Sequence, residues 1–190
     1  SRIFIGKSSL VKKNVQDDTR LAIDASNLEK VLKRILTDEK NRDEILEIQG
    51  IFSGTLSYLF SEMENGTGIS KAVAVAQSLG YTEPDPREDL SGTDVARKIL
   101  ILARELGYSL ELKEVRVENL VPKPFRNRGT IAAFLKGLKK EEKRYAEKIA
   151  AATKKGCLLR YVAELKNGHC RVGIKELQRE SPLARLRAGD

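Results

Sequence analysis

Asn167-Gly168 constrains this chain more than any other pair of residues. It separates two runs rich in β-branched and apolar residues, Leu158 to Leu165 and Cys170 to Leu177. A two-residue Asn-Gly connection suits a turn whose central residues both take positive φ, and such a turn has the twist that paired strands need. The spacing therefore predicts a β-hairpin over 158–177.

The rest of the chain alternates helical and extended patterns. Ser26-Asn27-Leu28-Glu29 forms a capping box ahead of Leu28, Val31, Leu32 and Ile35, which predicts a helix over 27–36. The charged run 37–44 reads as loop. Ile45 to Phe52 reads as a strand, Leu56 to Met63 as a helix, and Asn65-Gly66 with Gly68 as a turn. Ser70 suits the cap of a helix over 71–79, with Gly80 just past its end. Residues 81–93 read as loop, followed by a helix from Ser91–Thr93 to Leu106 that Gly107 closes. Val115 to Val121 reads as a strand. Helices are expected over 130–138 and 141–154, with Gly156 as the stop, and Arg2 to Ile5 is compatible with a short strand. Several helices with a few strands place the chain in the α+β class, with a mixed β-sheet covered by helices on one face.

At 190 residues the chain is long enough for one ordinary domain and short for two. With 41% hydrophobic residues it can bury a core, yet it holds no apolar run long enough to span a membrane. The net charge is +8, but aromatics are only 5%, and much of the positive charge is interleaved with Glu in a helical stretch over 138–155. That pattern favours a solvated helix face over a base-stacking surface, so nucleic acid is not the expected partner. Two cysteines, Cys157 and Cys170, cannot build a disulfide framework and suit a reducing compartment; the expected location is the cytoplasm, or a plastid if a transit peptide has been lost. The one histidine, His169, follows the Asn-Gly turn, which removes most His-based metal and nucleophile chemistry. G-x-G-x-x-G, G-x-x-x-x-G-K-[ST] and C-x-x-C are all absent.

Carboxylates and lysines must then carry any chemistry. Glu83, Asp85, Glu88, Asp89 and Asp94 place five carboxylates in twelve residues of a basic chain, and Pro84 and Pro86 stiffen the backbone between them. Asp94 and Lys98 are four apart at a helix start and share a face. Such a loop suits a small polar substrate with an ammonium group, bound by carboxylates, while a lysine among them exchanges a proton with a substrate oxygen. Two ordinary readings stand beside this one. Asp94 and Lys98 could be an exposed pair contributing ~0.3–0.5 kcal/mol. The loop could also hold Mg²⁺ or Ca²⁺, although it lacks EF-hand spacing; no metal is assigned.

Two segments carry a family resemblance. Gly50-Ile-Phe-Ser-Gly54-Thr55-Leu-Ser-Tyr-Leu-Phe60 and Leu79-Gly-Tyr-Thr-Glu-Pro-Asp-Pro-Arg-Glu-Asp-Leu-Ser-Gly-Thr-Asp-Val-Ala-Arg-Lys98 closely resemble homoserine dehydrogenase. The fungal enzyme and the dehydrogenase half of bifunctional aspartokinase–homoserine dehydrogenases are the nearest forms. Val121-Pro-Lys-Pro124, Leu158-Leu-Arg-Tyr161 and Ser181-Pro-Leu183 extend the likeness over about 44–190. The resemblance implies reversible reduction of aspartate 4-semialdehyde to homoserine with NADPH or NADH, in the aspartate pathway to threonine and methionine. It implies that Lys98 is the catalytic lysine and Asp94 its acidic partner. Glu83 and Asp89 match the carboxylates that bind the substrate, and Gly54, Thr55 and Tyr81 match the pocket lining. It also implies a homodimer.

The same resemblance sets expectations about what is missing. Family members place a nucleotide-binding Rossmann domain before this region, whereas residues 1–43 show no dinucleotide fingerprint. We therefore expect residues 1–43 to be an atypical segment. Residues 44–190 should form a substrate and catalytic domain truncated at its C-terminal end, with NADP or NAD bound outside it. The alternative is a catalytically inactive regulatory or dimerisation module derived from that domain.

Overall fold

The computed structural model describes the backbone of Arg2–Ile5 and the whole of residues 47–186. The expected helix over 27–36 and loop over 37–44 lie outside the described residues.

Five strands form one mixed sheet in the order β1-β2-β4-β5-β3. β1 (Arg2–Ile5) runs parallel to β2 (Glu47–Gly50), which is antiparallel to β4 (Cys157–Lys166). β4 pairs with β5 (His169–Gln178) through all ten residues, from Lys166↔His169 to Cys157↔Gln178. The turn is the one that the Asn-Gly pair predicts, with φ of 49° at Asn167 and 74° at Gly168. β3 (Arg116–Val117) joins the far edge of β5 in parallel.

Strand alternation divides the hairpin into two faces. Leu159, Tyr161, Ala163 and Leu165 of β4, with Cys170 and Val172 of β5, face the main core. There they meet α1 (Gly54–Glu64), α2 (Ile69–Ser78), α4 (Thr93–Glu105), α5 (Ile131–Lys139) and α6 (Glu142–Lys154), which contribute Phe60, Ile69, Ile99, Phe134 and Tyr145. The expected arrangement of helices on one face therefore describes the main core. The opposite face carries a smaller cluster, Ile51, Val162 and Leu177, capped by Leu183 and Ala184 of the four-residue α7 (Pro182–Arg185). Arg160 also lies on that face and is 3% exposed. Its guanidinium pairs with Glu64 at 2.6 Å and donates to the carbonyl of Ala184 at 2.8 Å. One buried side chain thus ties β4 to the end of α1 and to α7.

Three local expectations are corrected. Ser70 does not cap α2: the helix starts at Ile69 with Gly68 as its cap residue. The Ser70 hydroxyl donates instead to Glu142 at the start of α6, 2.8 Å away, so a contact between helices takes the group that local pattern assigned to capping. Second, residues 81–93 are not all loop. Asp85 accepts from the Arg87 amide and caps a short helix, α3 (Pro86–Leu90), with Pro86 in its first turn. Third, the strand expected over 115–121 shrinks to Arg116–Val117. Past Glu118 the chain leaves β5, because the Leu120 amide donates to the carbonyl of Leu90 and the Val121 amide to the side chain of Asn119. This strap reaches across to the acidic segment.

Cys157 and Cys170 are both free and buried. Cys170 pairs with Leu165, eight residues along β4 from Cys157, so about 26 Å of strand separates them. His169 is exposed beside the turn.

Candidate functional site

The site is built where β2 gives way to α1. After Gly50 the chain passes through Ile51 and Phe52, and the Ser53 hydroxyl caps α1 by accepting from the Leu56 amide at 3.1 Å. Capping fixes the direction in which residues 52–55 enter the helix. Two separate arms of the chain then attach to these four residues.

The first arm is α4. Its first turn carries Asp94, and Lys98 follows one turn later on the same side. Lys98 Nζ lies 2.7 Å from Asp94 and donates to the carbonyl of Phe52 at 3.0 Å. Both side chains keep solvent access, 41% for Lys98 and 65% for Asp94. Nζ is therefore held at the start of α1, on a side chain that keeps partial solvent access.

The second arm is the turn after α2. The Thr55 hydroxyl donates to the carbonyl of Tyr81 at 2.6 Å. The Tyr81 ring stands edge-on to Tyr58 with centroids 5.2 Å apart, although Tyr81 itself is exposed. Glu83 follows, with its carboxylate exposed and its amide donating to Asp89 at 2.9 Å. One oxygen of Asp89 is thus spent on holding the backbone of Glu83.

Arg87 braces this arm from behind. It forks onto both oxygens of Asp85 and donates to the carbonyls of Phe125, Arg128 and Gly129. That arrangement lowers the pKa of Asp85, chiefly through the Arg87 hydrogen bonds. A cleft of about 430 Å³ beside it is lined by Glu88, Ser91, Arg126 and Arg128 and lies behind the acidic segment, not over Lys98.

The structure therefore brings Thr55 to Tyr81, Asp94 to Lys98 and Glu83 to Asp89, and it joins the first two pairs through residues 52–55. No hydrogen bond or ion pair links the Glu83–Asp89 pair to Asp94–Lys98 among the described residues. Sequence pattern missed the Phe52 carbonyl, because a main-chain acceptor leaves no side-chain signature. It also missed Arg87 as a brace, although Asp-Pro followed by acidic residues is a helix-start signal.

NAD(P) chemistry needs a phosphate cradle, usually a glycine-rich turn from strand to helix. The β2–α1 turn is the strand-to-helix junction at this site, but its Ser53 side chain closes onto Leu56 and its Phe52 carbonyl onto Lys98. Both groups are therefore engaged within the chain. The chemistry that the site itself can perform is recognition of a charged substrate and transfer of a proton at Lys98. Among the described residues no cluster of His, Cys, Asp or Glu could hold a metal ion.

Comparison with known proteins bears directly on this geometry. The family model for homoserine dehydrogenase matches residues 31–190. A bifunctional aspartokinase/homoserine dehydrogenase from Haemophilus influenzae is 42% identical over 148 residues, covering 78% of this chain and 18% of the relative. A Candida auris protein of unknown function superposes with a TM-score of 0.75 at 33% identity, over 86% of this chain and 46% of that one. A putative homoserine dehydrogenase from Archaeoglobus fulgidus superposes with a TM-score of 0.65 at 27% identity, over 88% of this chain and 46% of that one. The chain thus spans under a fifth of the curated relative and less than half of the two solved structures. No helix among the described residues is long and apolar enough to cross a membrane. By the family model over residues 31–190 and by its identity to the curated relative, this chain belongs to the homoserine dehydrogenase family.

Proposed function

We propose that this chain supplies the substrate-binding and proton-transfer half of a homoserine dehydrogenase, interconverting aspartate 4-semialdehyde and homoserine. The observation that carries the reading is Lys98 Nζ, held between Asp94 and the Phe52 carbonyl on a partly exposed side chain. A substrate oxygen beside Nζ can exchange a proton with it, and general acid–base transfer by a positioned group contributes ~10²–10⁴-fold. Glu83 presents an exposed carboxylate to the substrate ammonium, and Asp89 fixes the backbone that carries it. Asp94 orients Lys98 and meets the substrate hydroxyl, while Gly54, Thr55 and Tyr81 line the pocket. NADP or NAD would be held outside the described residues. A homodimer is the expected assembly, and the two thiols suit a reducing compartment.

The alternative reading is a catalytically inactive regulatory or dimerisation module derived from that domain. Calorimetry separates the two. Homoserine titrated into the protein should bind, and Glu83→Ala should weaken that binding. A polypeptide joining this chain to a nucleotide-binding domain should oxidise homoserine with NAD or NADP. Binding without turnover in that fusion would favour the module, and absence of binding would end the enzyme reading.

A further inference from the structure

We propose that Tyr161 is a positioning residue for the Asp94–Lys98 pair, acting through the buried Gly92 at the start of α4; this rests on the substrate-site reading above and deepens it. Gly92 precedes the first residue of α4 with φ of 72°, and its carbonyl accepts the helix-opening bond from Ala96 at 2.9 Å. The Ser91 hydroxyl accepts from the Thr93 amide at 3.2 Å and the Gly92 amide donates to the Asp89 carbonyl at 3.2 Å. Beyond these local bonds, its place is set by what packs against Gly92 from the sheet.

Tyr161 does the setting from β4. The residue is 2% exposed, and its hydroxyl donates to the carbonyl of Glu118 at 2.8 Å. A Cβ added at Gly92 would fall 2.0 Å from that hydroxyl oxygen and 3.1 Å from Val117 Cγ1. Gly92 is therefore seated directly on the hydroxyl. The strap that accepts the hydroxyl's proton is itself tied on both sides: the Glu118 amide donates to Val172 at 2.8 Å, and the Leu120 amide to Leu90 at 2.9 Å. Sheet, strap and acidic segment meet at this one oxygen. Asp94 lies two residues beyond Gly92 and Lys98 one turn further, so a shift at Gly92 is carried along a rigid helix into the site. A displacement of about 1 Å is enough to cost a positioned group up to ~10²-fold.

The test uses the protein itself, with two readouts: homoserine affinity by calorimetry and the Lys98 ε-methylene NMR signal. Gly92→Ala should shift the Lys98 signal and weaken homoserine binding by ~10-fold or more. Gly92→Ala combined with Tyr161→Phe removes the obstructing oxygen, so the signal should move back toward the parent and affinity should recover by ~3-fold or more. Gly107→Ala is the control at the other end of α4. Its φ is 86° with nothing within 4 Å of an added Cβ, so it strains the backbone equally and should leave both readouts unchanged. An unmoved Lys98 signal in folded Gly92→Ala, or no recovery in the double variant, overturns the proposal. Should Gly92→Ala not fold, Tyr161→Phe alone decides: it should shift the Lys98 signal, and an unshifted signal overturns the proposal. If the parent binds no homoserine, the substrate-site reading fails, while the Lys98 signal still judges the role of Tyr161.

Discussion

Arg87 grips Asp85 across the single intervening Pro86, with Nε 2.9 Å from both carboxylate oxygens and Nη2 2.6 Å from one of them. The same guanidinium satisfies three carbonyls of the loop 125–129. A carboxylate in the acidic segment is thereby a structural pin and is not available to a substrate.

This pin makes stability depend on acid. Asp85 is held below its ordinary carboxyl value of 3.8, first by the Arg87 side-chain hydrogen bonds, with burial opposing. A carboxyl whose pKa falls on folding stabilises the protein above its unfolded value, and that stabilisation drains as pH drops through the lower folded value. Thermal melts should therefore fall below about pH 4 more steeply in the parent than in Arg87→Ala, where Asp85 returns toward the ordinary range. Parallel melting curves in the two proteins would show that the pair contributes nothing.

The two sets of site residues should fail differently. In a polypeptide competent for turnover, Lys98→Ala should lower kcat by ~10²-fold or more while the fold survives, because the exposed pair it breaks contributes only ~0.3–0.5 kcal/mol. Lys98→Arg should restore little, since a guanidinium does not release its proton. Glu83→Ala should instead raise KM for homoserine with a smaller change in kcat, because it removes charge pairing from ground and transition states alike. Steady-state kinetics check both, and kcat within ~3-fold of the parent in Lys98→Ala would end its assignment.

Arg160 should contribute to stability. Replacing it with Ala leaves Glu64 without its 2.6 Å partner and frees the Ala184 carbonyl. Removing one member of a buried pair costs about 3–5 kcal/mol, so the urea midpoint should fall sharply. A shift below about 1 kcal/mol would mean that the pair is solvated in solution, as surface pairs are.

The cysteines should be silent. Burial pushes the Cys170 thiol up to about 11, so little thiolate exists at neutral pH. Iodoacetamide at pH 8 should label Cys170 only on unfolding, and reductant should leave the melting temperature unchanged. Fast labelling of the native protein would show that β5 opens locally.

Much of this was legible in the chain, and residue types explain where. Asn167-Gly168 announced the hairpin because few other pairs accept two positive φ values in succession. Gly80, Gly107 and Gly156 marked helix ends for the same reason, and each takes positive φ in the structure. Ser70 misled, because a serine at a helix start can cap it or can bond elsewhere, and only the position of Glu142 decides which. The strand expected over 115–121 was too long because β-branched residues also suit the strap that departs toward Leu90.

Sequence by itself determined the local rules: which segments turn, which coil, and that Asp94 and Lys98 share a helix face. It also carried the family resemblance, since that rests on residue order alone. Tertiary structure decided what those residues touch. Lys98 meets the Phe52 carbonyl 46 residues away, Arg87 meets a loop about 40 residues on, and Tyr161 meets the strap beside Gly92. Such contacts leave no periodic trace, because a main-chain carbonyl is the same in every residue and its direction is set only once sheet and helices have packed.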